Sequence, residues 1–123
     1  MKEKVALIGG GAMAEAILTG LKQTGRVLEN IWVYDTSAER LVEHEKKLGI
    51  TPASTAKEAM KKAKIVILAV KPQVLPSVLP EVSASIDSDT VVASIAAGID
   101  LATLEKGLAG KKVIRVMPNT PLM

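Results

Sequence analysis

The stretch Val5-Ala6-Leu7-Ile8-Gly9-Gly10-Gly11-Ala12-Met13-Ala14 decides the fold. Four apolar residues closed by glycines read as a short strand buried on both faces. Beyond the glycines, Met13, Ala16, Ile17, Leu18 and Leu21 fall at helical spacing. They predict a helix over residues 12–23, with Gly25 as its stop. Strand, glycine turn and helix in that order fit the G-x-G-x-x-G/A pattern through Gly9, Gly11 and Ala14. The chemistry asks for small residues at those places. Gly9 allows the tight turn, Gly11 lets the backbone approach a pyrophosphate, and Ala14 lets the helix pack close to the strand. Free N–H groups at the helix start, with the helix dipole, attract phosphate. A glycine-rich turn without a ligand is the plainer alternative. The apolar strand before the glycines and the amphipathic helix after them weigh against it.

The same alternation continues outward. Ile31 to Tyr34 is a second strand ending at Asp35. Thr36 and Glu39 have capping-box spacing, so a helix should follow as far as Leu48, stopped by Gly49. Ile50-Thr51 reads as a weak third strand. Thr55 and Glu58 repeat the capping spacing and open a short helix through Lys62. Lys64 to Val70 is the clearest buried strand. Pro72, Pro76 and Pro80 argue against an unbroken helix in the next stretch, because an interior proline removes a hydrogen bond and clashes with the preceding turn. A turn and a short helix with Pro76 near its start are expected. Thr90 to Ile95, a helix capped by Asp100 and ending near Leu108, and a strand from Val113 to Met117 complete the pattern. Alternation with short connections predicts a single α/β domain of the Rossmann type, a doubly wound parallel sheet with strand order 3-2-1-4-5-6.

Composition agrees with one globular domain. The 123 residues are 48% hydrophobic and 24% charged, and the only aromatic residues are Trp32 and Tyr34. The core must therefore be aliphatic. A net charge of +3, with no basic run and almost no rings to stack on bases, does not point to nucleic acid. There is no cysteine, which excludes disulfides, thiolate nucleophiles and cysteine-held metals. No apolar run approaches the ~18 residues of a membrane span, and the apolar stretch after Met1-Lys2-Glu3-Lys4 is too short for a signal peptide. A cytoplasmic protein without membrane partners is expected.

Candidate site residues gather at the carboxyl ends of the predicted strands, where ligands bind in open α/β sheets. Asp35 ends the second strand, where an acid takes ribose hydroxyls and favours NAD. Thr36, Ser37 and Arg40 follow, and two hydroxyls with an arginine suit a 2′-phosphate and NADP. The two signals conflict, and both have plainer readings as caps or a solvated face. Lys71, in Ala69-Val70-Lys71-Pro72-Gln73, points at the crevice or else snorkels to water. Ala96-Ala97-Gly98 offers close approach to a flat ring. Asn119 offers a donor and an acceptor, or serves only the turn between Pro118 and Pro121. His44 lies among Glu43, Glu45 and Lys46 and reads as a solvated surface residue. Met13 borders the glycine turn but is of a type that more often fills a core. No metal site is expected from one histidine, and no G-x-S-x-G elbow surrounds Ser94.

Four segments occur in order: residues 8–14, Ala69-Val70-Lys71-Pro72-Gln73, Ser94-Ile95-Ala96-Ala97-Gly98-Ile99, and Arg115-Val116-Met117-Pro118-Asn119-Thr120-Pro121. Together they resemble the N-terminal half of the pyrroline-5-carboxylate reductases across the whole chain. The second and fourth are the specific ones. The resemblance implies reduction of the cyclic imine Δ1-pyrroline-5-carboxylate to L-proline with a nicotinamide hydride donor, NADPH in most of the family and NADH as the alternative. It implies phosphates on the turn from Gly9 through Ala12 and Met13. The nicotinamide end would lie by Ala69, Val70, Lys71 and Pro72, by Ala96, Ala97 and Gly98, and by Asn119. Asp35 departs from the NADPH pattern. Family members continue into an all-helical domain that dimerises and closes the substrate pocket, so this chain is expected to be the cofactor half of a homo-oligomer, inactive by itself. No residue stands out as a general acid. Two other classes compete: the cofactor domain of a β-hydroxyacid or prephenate dehydrogenase-like enzyme, and a dinucleotide-binding module without catalysis.

Overall fold

A computed structural model describes residues 3–9, 11–25, 27–95, 101–108 and 110–115. The elements in chain order are β1 (Val5–Ile8), α1 (Ala12–Gln23), β2 (Ile31–Tyr34), α2 (Ala38–Leu48), β3 (Thr51–Pro52), α3 (Ala56–Met60), β4 (Ile65–Leu68), α4 (Leu75–Ser85), β5 (Val91–Ser94), α5 (Leu101–Gly107) and β6 (Lys112–Arg115). The strands form one parallel sheet in the order β3-β2-β1-β4-β5-β6. The expected doubly wound sheet is therefore present, with its switch point between β1 and β4.

Strand registry divides the core in two. Ala6 and Ile8 face α3, α4 and α5 with Val66, Leu68 and Val92. Leu7 and Val33 face α1 and α2 with Ala14, Leu18, Leu41 and Leu48. The helices α1 and α2 cover β1, β2 and β3. On that same face β4 and β6 leave Ile65 at 40% and Ile114 at 51% exposure. An apolar groove of about 230 Å³ runs between α1 and β4, lined by Ile17, Leu21, Val27 and Ile65.

Local chemistry sets the element ends. Gly49 closes α2 in the left-handed region at φ 75°. Ser37, not Thr36, caps α2, accepting from the Arg40 amide at 3.2 Å. The chain is still extended at Ser37, so the helix begins one residue later than the capping-box spacing suggested. Thr55 caps α3 as expected, accepting from the Glu58 amide at 3.0 Å. Glu58 reaches back to the amide of Ser54 at 2.7 Å. That helix stops at Met60, short of Lys62, which takes φ 60°. Lys4 secures its end by donating to the Glu58 carbonyl at 2.9 Å and the Lys61 carbonyl at 2.8 Å. The edge strand β3 is Thr51–Pro52 rather than Ile50-Thr51. Ile50 is instead buried against α1 and α2.

Two expectations are corrected. His44 is not a surface residue: it is 2% exposed. It falls on the inward stripe Leu41, His44, Leu48 of α2, and its charged sequence neighbours occupy other faces of the helix. The expected turn and helix with Pro76 near its start are present, but α4 is longer than expected and runs unbroken through Pro80. Leu75, Leu79 and Val82 are buried on one stripe, and each such burial contributes roughly 1.5–3 kcal/mol. An interior proline costs about 3 kcal/mol, so the stripe prevails. Pro76 and Pro80 are both exposed, which leaves the carbonyl deprived of its helical partner on the solvent side. The expected cap Asp100 and the end of the last strand at Met117 lie outside the described residues.

The turn between α4 and β5 hangs on Asp87, whose Oδ1 accepts from the amides of Asp89 at 2.9 Å and Thr90 at 3.2 Å. The Asp89 amide foremost, with the Thr90 hydroxyl and amide, holds the Asp87 carboxyl below its usual 3.8. A carboxyl depressed in the folded state stabilises the fold above its unfolded value, and that contribution disappears as pH falls through the folded value. Asp87→Ala should lower the thermal midpoint at neutral pH, with the gap to wild type narrowing below about pH 4. Melting curves at neutral and acid pH check this, and a gap independent of pH would contradict it.

Candidate functional site

The carboxyl ends of β1, β2 and β4 open onto a cleft of about 320 Å³. Three connections build it. The β1–α1 turn contributes Gly9 and Gly11, the β2–α2 connection contributes Asp35, Thr36 and Arg40, and the segment after β4 contributes Ala69, Val70 and Lys71. Hydrogen bonds carry the sheet up to its rim. The Gly9 amide donates to the Tyr34 carbonyl at 2.7 Å, and the Ala69 amide to the Ile8 carbonyl at 2.8 Å. The cleft thus sits at the switch point, where the chain departs from β1 to one side and from β4 to the other.

The two described glycines of the turn have different reasons to be glycine. Gly9 has φ 110°, and a Cβ there would lie 2.8 Å from the Ala69 carbonyl oxygen and 2.9 Å from its carbon. The fold itself therefore forbids a side chain at position 9. Gly11 has φ −77°, and a Cβ there would meet nothing within 4 Å. Nothing internal requires glycine at position 11; a side chain there would fill only the cleft. Gly11 is also the N-cap of α1 and supplies no side chain to bond the first-turn amides. The first four N–H groups of a helix lack intrahelical partners, and here they open beside the cleft with the positive end of the dipole. Ala14, fully buried, brings α1 onto the sheet as expected.

Opposite this helix end, Arg40 Nη1 donates to Asp35 Oδ2 at 2.8 Å. The Asp35 side chain is 11% exposed and that of Arg40 46%. Ser37 is turned to its capping bond and Thr36 is exposed on the cleft wall. Lys71 is exposed at the rim. Its carbonyl accepts from the amides of Val74 at 2.9 Å and Leu75 at 3.1 Å. That turn folds Val74 back into the wall at 41% exposure. Sequence reading missed Val74. Its signal is an apolar residue left outside the Leu75, Leu79, Val82 stripe. A smaller hollow of about 90 Å³ adjoins the cleft, sharing Gly9, Asp35, Thr36, Val70 and Val74 and adding Tyr34 and Val78.

The structure brings Gly9, Gly11, Asp35, Thr36, Arg40, Ala69, Val70 and Lys71 around one space. Ala12 and Met13 stand in the first turn of α1. Met13 is 42% exposed and does not belong to the core. Pro72 is half-buried just past the rim. Ala96, Ala97, Gly98 and Asn119 lie outside the described residues. Among the described residues no three His, Asp or Glu gather as metal ligands, and no helix is long and apolar enough to cross a membrane.

Comparison with known proteins agrees with this geometry. The pyrroline-5-carboxylate reductase of Escherichia coli strain K12 is 42% identical over 125 residues, covering 100% of this chain and 46% of that protein. The structure of a pyrroline-5-carboxylate reductase from Coxiella burnetii superposes with a TM-score of 0.89 at 31% identity, over 98% of this chain and 46% of the other. The Plasmodium falciparum pyrroline carboxylate reductase with NADP bound gives 0.82 at 28% identity, over 98% and 44%. The chain spans about half the length of the curated relatives it matches. Residues 4–98 match the family described as NADP oxidoreductase coenzyme F420-dependent, and the chain belongs to that family.

Proposed function

We propose that this chain is the dinucleotide-binding half of an NADPH-dependent pyrroline-5-carboxylate reductase, which makes L-proline from the cyclic imine. The observation that carries the reading is the 42% identity with the Escherichia coli reductase along the whole chain. The cleft supports it, because the α1 start beside it has no side-chain cap and a Cβ on Gly11 would meet only open space.

Each wall has a task in this reading. The amides at the start of α1, beside Gly9, Gly11, Ala12 and Met13, hold the pyrophosphate. Asp35, Thr36, Ser37 and Arg40 meet the adenosine ribose. The apolar hollow by Tyr34, Val74 and Val78 seats a flat base. Ala69, Val70, Lys71 and Pro72 border the nicotinamide end, together with Ala96, Ala97, Gly98 and Asn119. When bound, the dinucleotide supplies a hydride for the imine carbon. The residues of this chain position and screen that donor. Lys71 serves the nicotinamide and substrate end in this reading, and Asn119 is assigned to that same end by the family resemblance alone. The second half of the relatives, which this chain does not span, is proposed to form the opposite substrate wall and the homo-oligomer contact. A cysteine-free sequence is compatible with a cytoplasmic enzyme.

The two glycines separate folding from binding. Gly9→Ala should destabilise the domain by about 1–3 kcal/mol through its strained φ and its clash with a backbone carbonyl. Gly11→Val should cost no more than about 1 kcal/mol of stability, the difference between a good and a poor N-cap residue, and remove most NADPH binding. Melting curves and calorimetry check both, and undiminished affinity in Gly11→Val would move the phosphate site elsewhere.

Catalysis needs the imine held against the donor, and such positioning supplies ~7–11 kcal/mol of barrier lowering. NADPH oxidation with pyrroline-5-carboxylate should therefore be less than a tenth as fast for residues 1–123 as for a full-length relative assayed alongside. A comparable turnover number would place the substrate site within these residues.

A further inference from the structure

We propose that Asp35 is a built-in competitor for Arg40, so that the choice between NADPH and NADH is set by whether the guanidinium stays on the carboxylate or transfers to a 2′-phosphate. The inference rests on reading the cleft as a dinucleotide site.

The geometry provides both states from one pair of side chains. Asp35 stands directly after β2, largely buried, with its Oδ2 already accepting from Arg40 Nη1 at 2.8 Å. The Arg40 backbone is anchored in the first turn of α2 by the Ser37 cap, while its side chain is nearly half exposed. The carboxylate is thus the fixed partner and the guanidinium the movable one. Both face the cleft, beside Gly9, Gly11 and Thr36.

An ionised carboxylate only accepts hydrogen bonds and has several lone pairs, so Asp35 can keep Arg40 and still accept from ribose hydroxyls. NADH is served with the ion pair intact. A 2′-phosphate is served less well. The carboxylate repels it and holds the guanidinium by Nη1, so only the Arg40 donors left over from Asp35 are open to it unless the pair separates. Separation exchanges one charge-assisted pair for another, which returns little net affinity. Wild-type protein should therefore use both dinucleotides, with a preference for NADPH well below what an unengaged arginine would give. Asp35 is a specificity-determining residue that acts through Arg40.

The test is titration of the full-length protein with NADPH and NADH, in wild type, Asp35→Ser, Arg40→Ala and the double variant. Asp35→Ser should tighten NADPH by about tenfold or more, the worth of a charge-assisted hydrogen bond, and weaken NADH. Arg40→Ala should weaken NADPH and leave NADH nearly unchanged. In the Arg40→Ala background, most of the NADPH gain from Asp35→Ser should vanish. An equal gain with and without Arg40 would mean simple repulsion and overturn the competition. So would unchanged affinities in Asp35→Ser, even though Arg40→Ala is a separate readout of the same pair. If wild type binds both dinucleotides and either of those results appears, the competition fails while the proposed function stands. If wild type binds neither, both fail.

Discussion

The structure turns on the absence of one atom. With no Cβ at Gly9, the end of β1 passes so near the end of β4 that a methyl group would sit 2.8 Å from the Ala69 carbonyl oxygen. That approach lets Ala69 continue the ladder onto Ile8 and lets Gly9 bond to Tyr34 in the same layer. From this junction the chain runs into α1 on one face of the sheet and, after β4, into the Lys71 turn and α4 on the other. A divergence of this kind leaves a crevice between the two departures. The cleft is therefore a result of topology, and its width depends on how closely the two strand ends meet.

Charge is distributed around the crevice with some economy. The helix end offers unpaired amides and half a positive charge. Lys71 adds a cation at the rim, and Arg40 adds one that is already engaged. Asp35 is the acid that enters this setting, and its proximity to Arg40 makes it tolerable there. An unpaired carboxylate here would repel any anion approaching the α1 amides, whereas a guanidinium at 2.8 Å offsets its charge. The pair converts two contradictory sequence signals into one arrangement.

Structural and functional demands can be separated residue by residue. Gly9, Ala14 and the inward stripes of α2 and α4 answer to packing. Gly11, the exposed Met13 and the outward-facing Val74 answer to nothing inside the domain. The apolar groove between α1 and β4 is a different case. It lies where the helix layer does not cover β4, has only aliphatic walls apart from Asn30, and holds none of the charged groups of the cleft.

Much of this was legible in sequence because it depends on short-range order. Apolar runs between glycines gave the strands, and 3.6-residue periodicity gave α1 at its observed bounds. Alternation gave the parallel order through right-handed crossovers. The glycine turn located one wall of the cleft, since strand, turn and helix are contiguous in the chain. Where the reading failed, distant contacts decided. The α4 helix has Pro76 near its start as expected but runs on through Pro80 because Leu75, Leu79 and Val82 find a sheet to bury against, which no local rule can supply. His44 is inside because α2 turns that stripe inward, although its neighbours in sequence are charged. Ser37 caps in place of Thr36 because the chain stays extended one residue further. Val74 reaches the wall through a turn closed on the Lys71 carbonyl. Sequence by itself determined the sheet, its order and the edge at which the cleft opens. Tertiary structure alone decided that Asp35 and Arg40, which read as rival signals, are partners across 2.8 Å. The side-chain paths that join them depend on how β2 hands over to α2, and sequence spacing does not specify that.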